Sequence, residues 1–184
     1  TYYSEEPMAA NYTLDCLPER AAHARKVKED YVQETLAKYE PARRGREARG
    51  LQEIAFCGMG RAGKDTAAEY LCKKLGIVYP QSASNIILPL VAVIAEDTDY
   101  ARVFAERHNH RRFWIEACHA IRGEEHDLLI RMCLGAGDVA VGIRGGKELQ
   151  MCKDRRVIDL AIWIANDRVP PDITVEYAES DCHF

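Results

Sequence analysis

The run Gly58-Met59-Gly60-Arg61-Ala62-Gly63-Lys64-Asp65-Thr66 constrains this chain more than any other stretch. Before it stands Ile54-Ala55-Phe56-Cys57, a short apolar run with the length and bounds of a buried strand. After it comes Ala67 to Leu75, which the spacing predicts as a helix stopped by Gly76. Strand, glycine turn, lysine, helix is the layout of a phosphate-binding loop. Glycines let backbone N–H groups turn toward phosphate oxygens. The helix start adds partial positive charge, and Lys64 adds a full one.

Gly58, Gly60 and Gly63 also fit the dinucleotide pattern Gly-x-Gly-x-x-Gly. That reading needs an acid about 20 residues on, at the end of the next strand. The chain there reads Ile77-Val78-Tyr79-Pro80-Gln81-Ser82-Ala83-Ser84, without one. A lysine opening the helix is unexplained by a dinucleotide loop, so the P-loop reading is the stronger. In one respect the loop departs from the usual pattern. Asp65 follows the lysine where a serine or threonine hydroxyl would bind magnesium, and Thr66 comes next. A carboxylate is a hard-oxygen partner for magnesium, and it is equally a favourable charge at a helix start. Both roles follow from the position.

At 184 residues the chain can bury a sizeable core. Its apolar share of 47% and charged share of 29% suit a globular protein, and no apolar run reaches the length of a membrane span. The N-terminus lacks the basic and apolar regions of a signal peptide. Cys16, Cys57, Cys72, Cys118, Cys133, Cys152 and Cys182 are odd in number, scattered, and never in Cys-x-x-Cys spacing. They predict reduced thiols and a cytoplasmic location. A net charge of −4 argues against a broad DNA-coating surface and leaves room for a local basic groove.

Residues 1–50 read as an appendage, with a charged helical stretch from Pro18 to about Tyr39 and a basic linker from Pro41 to Arg46. It is either a solvated helix docked on the core or a contact arm for nucleic acid. Residues 51–184 form the core domain. Strands are expected at Glu53–Cys57, Asp138–Ile143 and Val157–Ala165, with shorter ones at Ile77–Tyr79 and Ile173–Tyr177. Helices are expected at Lys64–Leu75, Asp99–Arg122, Asp127–Leu134 and Lys147–Arg155. The alternation predicts an α/β fold of the P-loop type, a parallel sheet with helices on both faces.

Three regions outside the loop hold candidate chemistry. On one continuous helix, Arg107, Arg111, Trp114, Cys118 and Arg122 would share a face, with His110 beside them. Arginines fork phosphates and tryptophan stacks on bases, so Arg107, His110, Arg111 and Trp114 are candidate substrate contacts. The alternative is a core Trp114 and solvated arginines. Just before that helix, Asp97 is the candidate base for an acceptor hydroxyl, with Asp99 second; the alternative is that one of them caps the helix. Arg144 follows an apolar strand whose end lies beside the loop in a parallel sheet, so it can reach the phosphates. Its alternative partner is Glu148. Asp138 stands at the strand's opposite end.

These residues carry a resemblance. The Gly58–Thr66 loop, closing on Gly-Lys-Asp-Thr, resembles that of phage-type deoxynucleoside monophosphate kinases. Asp138 to Leu149, then Val157 to Ile164, resembles the later half of that group. Many members close this strand with an aspartate, an arginine two residues on, and a glutamate. Arg144 and Glu148 match, while Gly142 stands where the aspartate would be. His110-Arg111-x-Phe113-Trp114 and Asp172-x-Thr174 resemble phage P-loop kinases that phosphorylate 5-hydroxymethyluracil in DNA. The resemblance implies ATP as donor and Mg2+ as metal, in a host cytoplasm. The loop residues and Lys64 would hold the phosphates, with Asp65 and Thr66 arranging the metal. Lys64, Arg111 and Arg144 would be catalytic, with Asp97 as base. The acceptor would be DNA containing a modified pyrimidine or, alternatively, a deoxynucleoside monophosphate. An ATP-binding switch or slow ATPase module is the rival class.

Overall fold

The computed structural model describes residues 10–172 and 175–182. The chain divides into two compact units: Thr1–Asp30 with Ile87–Gly123, and Tyr31–Ile86 with Glu124–Phe184.

The second unit is α/β. β1 (Ile54–Cys57) lies between β3 (Val139–Val141) and β4 (Leu160–Trp163), and β2 (Gln81–Ser82) pairs on the far side of β3. All three pairings are parallel, with Phe56 beside Val141 on one flank and Ile162 on the other. The continuous apolar character of β1 and β3 suits strands covered on both faces. Phe56, Val139 and Val141 pack with Ala68 and Cys72, which come from α4 (Lys64–Leu75). That helix matches its expected bounds and ends at Gly76, whose φ of 64° gives the left-handed terminus glycine adopts without cost. α8 (Leu128–Ala136) and α9 (Gly146–Asp154) follow the expected pattern within two residues.

Other expectations fail for local reasons. The Pro18–Tyr39 stretch is not one helix: α1 (Leu17–Val27) and α2 (Glu29–Ala37) are separated by Lys28. The basic run Pro41 to Arg46 is no linker but lies inside α3 (Tyr39–Ala48), where Pro41 sits in the first turn and loses no helical hydrogen bond. Arg46 is buried there. Its guanidinium pairs with Glu53 at 2.9 Å and donates to the carbonyls of Leu134 at 2.8 Å and Gly137 at 3.0 Å. α3 is thereby stapled to the chain entering β1 and to the end of α8.

The short strand expected at Ile77–Tyr79 lies instead at Gln81–Ser82. Of the strand expected at Ile173–Tyr177, residues 173 and 174 lie outside the described residues, and 175–177 form no strand. α5 (Ala83–Ile94), unassigned from sequence, is apolar nearly throughout and contains Pro89, so it shows neither helical periodicity nor an intact hydrogen-bond ladder.

In the first unit, the helix expected over Asp99–Arg122 is two helices, α6 (Tyr100–Glu106) and α7 (Arg111–Arg122). The intervening Arg107-His108-Asn109-His110 offers no apolar side chain to bury. α1 packs on α7. No helix among the described residues is long and apolar enough to cross a membrane.

Candidate functional site

Residues Gly58–Gly63 connect β1 to α4 at the carboxyl ends of β1, β3 and β4. In open α/β sheets this is where ligands bind. Gly58 has a φ of 123°, and a Cβ on it would collide with the carbonyl oxygen of Ile164 just past β4. Only glycine fits. Gly63, at φ 96°, and Arg61, at φ 63°, also take left-handed backbone, curling the loop tightly into the helix start.

Lys64 opens α4 and is only 7% exposed. Its Nζ donates to the carbonyls of Gly58 at 3.0 Å and Met59 at 2.6 Å. Burial, then the nearby Arg144 guanidinium, lowers its pKa to about 8, against the opposing pull of Asp65 and Asp172. Lys64 therefore stands in a place short of negative charge, which an anionic ligand would supply.

Arg144 follows β3 and is linked to the loop through Asp172. Its Nη1 donates to Asp172 Oδ2 at 3.1 Å. Glu148, the alternative partner, is buried and instead accepts the backbone N–H of Arg144 at 3.1 Å, bracing the turn into α9. Asp172 Oδ2 also accepts the backbone N–H of Gly60 at 2.9 Å. The sequence marks Asp172 only as part of the Asp172-x-Thr174 motif. No local pattern links it to a loop more than a hundred residues earlier; the fold alone brings them together.

Asp65 and Thr66 are exposed on the first turn of α4. Among the described residues, no group of three or more His, Cys, Asp or Glu side chains gathers as a metal cage. That donor set still fits magnesium, which commonly takes one or two carboxylates and completes its shell with water and phosphate oxygens.

Asp97, Arg107, His110, Arg111 and Trp114 all belong to the other unit. Asp97 is buried, pairs with Arg102 at 2.8 Å, and accepts the N–H of Asp99 at 2.8 Å. Asp99 is the cap of α6, accepting the Arg102 N–H at 3.0 Å. The common face expected for Arg107 and Arg111 is lost with the helix break. Arg107 ends α6, donates to the Phe104 carbonyl at 2.8 Å, and stacks 3.8 Å over the Phe104 ring. His110 precedes α7 and stacks on Tyr12 at 3.6 Å. Arg111 is the first residue of α7 and half-buried. Trp114 is 5% exposed and meets Phe104 edge-on. It is a core residue, as the alternative reading had it, and offers no open face for a base to stack on.

Comparisons with protein-family models, curated proteins and solved structures gave no match to this chain.

Proposed function

We propose that the chain is an ATP-dependent phosphotransferase whose Gly58–Thr66 loop is a P-loop. One observation carries the reading: the loop already receives an anionic oxygen. A backbone N–H of the glycine turn and the guanidinium of Arg144 converge on one carboxylate oxygen, beside a buried lysine. Donors so arranged suit a phosphoryl group equally well.

On this reading the backbone N–H groups of the loop and Lys64 hold the β- and γ-phosphates, and Arg144 faces the transferring group. The acceptor hydroxyl oxygen attacks the γ-phosphorus, the bond to the β–γ bridging oxygen breaks, and ADP leaves. Charge on the equatorial oxygens is met by donors fixed beforehand, which is where most of the acceleration in phosphoryl transfer arises. Magnesium, when bound, neutralises phosphate charge, and Asp65 and Thr66 are the residues that would hold it. The acceptor's proton leaves as the oxygen attacks; Asp97, Arg107, His110 and Arg111 belong to the other unit and are given no part at this loop.

The acceptor rests on resemblance. It favours the hydroxymethyl group of 5-hydroxymethyluracil in DNA over a free deoxynucleoside monophosphate. The deciding experiment gives the protein labelled ATP with DNA containing that base, with thymidine and hydroxymethyl-deoxyuridine monophosphates at equal concentration, and with no acceptor. Label in the DNA is the expected result. Label only in mononucleotides makes the chain a nucleotide kinase, and phosphate release without transfer makes it an ATPase module.

A further inference from the structure

We infer that the Asp172 carboxylate is a built-in occupant of the phosphate subsite, which a nucleotide must displace to bind. The inference rests on the P-loop reading and deepens it.

Two contacts dock Asp172 on the loop and a third ties it to Arg144. Its backbone N–H donates to Met59 Sδ at 3.3 Å, and its Oδ2 accepts both the Gly60 N–H at 2.9 Å and Arg144 Nη1 at 3.1 Å. These are donors that a terminal phosphoryl group needs. A phosphate cannot take them while a carboxylate holds them, because two anions in one partly buried subsite repel strongly. Meanwhile Lys64 turns to the loop's own carbonyls. The Gly60 N–H, one Arg144 guanidinium nitrogen and the Lys64 ammonium are thus engaged within the protein.

The carboxylate is delivered by a braced segment. Upstream, the Val169 N–H meets the Asn166 carbonyl at 2.9 Å, and Pro170 and Pro171 stiffen the approach. Downstream, the Val175 N–H meets the Asp172 carbonyl at 3.0 Å, the Glu176 N–H meets the Arg144 carbonyl at 2.9 Å, and the Tyr177 hydroxyl donates to the Ile143 carbonyl at 2.8 Å. Bracing on both sides sets Asp172 against the loop, and its displacement releases the carboxylate from Gly60 and the backbone N–H from Met59 together.

Apparent nucleotide affinity is then reduced by the fraction of molecules whose carboxylate is docked. Asp172→Asn keeps the side chain's size and removes its charge. Its Kd for ATP, by calorimetry at fixed salt and magnesium, should fall about tenfold or more, the range for an open state populated at a few per cent. A wild-type measurement guards against a variant that folds poorly. On adding ADP, amides of residues 58–66 should gain protection from hydrogen exchange while the Asp172 amide loses it. Unchanged or weaker ATP binding by Asp172→Asn overturns the proposal and leaves the P-loop reading intact. So does protection gained at both places, or normal binding with transfer abolished, which would make Asp172 the base. If neither protein binds ATP, ADP or pyrophosphate, the P-loop reading falls and this proposal with it.

Discussion

Lys64 couples the loop's chemistry to its stability. Its folded pKa of about 8 lies below its ordinary value of 10.5, so the fold resists its protonation. Between those values the unfolded chain binds more protons, and stability contributed at this site rises with pH across that window. Below pH 8 the cost is fully present. Replacing Lys64 with Met removes the charge and keeps the stem. The variant's stability relative to wild type should therefore be most favourable below pH 8 and decline toward pH 10.5, by on the order of 3 kcal/mol. Urea titrations at several pH values check this. The same substitution should reduce phosphoryl transfer by at least about 10²–10³-fold, the usual cost of losing one fixed donor at a developing charge. A folded variant with near-normal turnover would end the kinase reading.

Gly142 is explained at this scale too. It adopts a φ of 111°, a conformation that side chains of the L series rarely take. An aspartate at this position would be strained in this backbone.

Among the elements, α3 shows how a charge run can mislead. Arg43, Arg44 and Arg46 look like a basic linker, yet Arg46 is 1% exposed within the helix, and Arg49 just past its end pairs with buried Asp138 at 2.7 Å. Burial tends to raise the Asp138 carboxyl, but the Arg49 guanidinium and the Val78 N–H outweigh it and hold the group below its ordinary value. Glu53 differs: burial dominates, and its carboxyl stays above the usual range despite Arg46. Arg46→Met leaves that carboxylate buried without its partner and should cost about 3–5 kcal/mol. The penalty should shrink as the pH falls into the acid range, because burial makes Glu53 easier to protonate than an ordinary glutamate, and shrink again in the double variant Arg46→Met, Glu53→Leu. Thermal melts at two pH values test both statements. A loss that is independent of pH would mean that packing of the Arg46 stem, not its charge, holds α3.

Over the whole molecule, the seven cysteines report on folding. All are outside disulfides: Cys16 is exposed, Cys118 half-buried, and Cys57, Cys72, Cys133, Cys152 and Cys182 are buried. A thiol reagent should therefore modify Cys16 first in the native protein, Cys118 more slowly, and the five buried thiols only as their surroundings open. Mass spectrometry of tryptic peptides over time reads the order. Rapid modification of Cys72 or Cys133 would show that the packing around α4 or α8 opens far more readily than its burial implies.

Local chemistry made the β1–loop–α4 passage legible from sequence. Glycines allow only a few backbone shapes, a short apolar run before them makes a buried strand, and Gly76 ends the helix that follows. The place of Arg144 just after β3 was legible because parallel strands bring their carboxyl ends together. What the sequence could not reveal depends on partners distant along the chain. Burial of Arg46 depends on Glu53 and the end of α8, and burial of Trp114 on a helix break that leaves it against Phe104. Asp172 gains its place only because a tail beyond β4 returns to the loop. A side chain's type limits what it can do, but its exposure and its partner arise from long-range packing, and only the tertiary structure decided those.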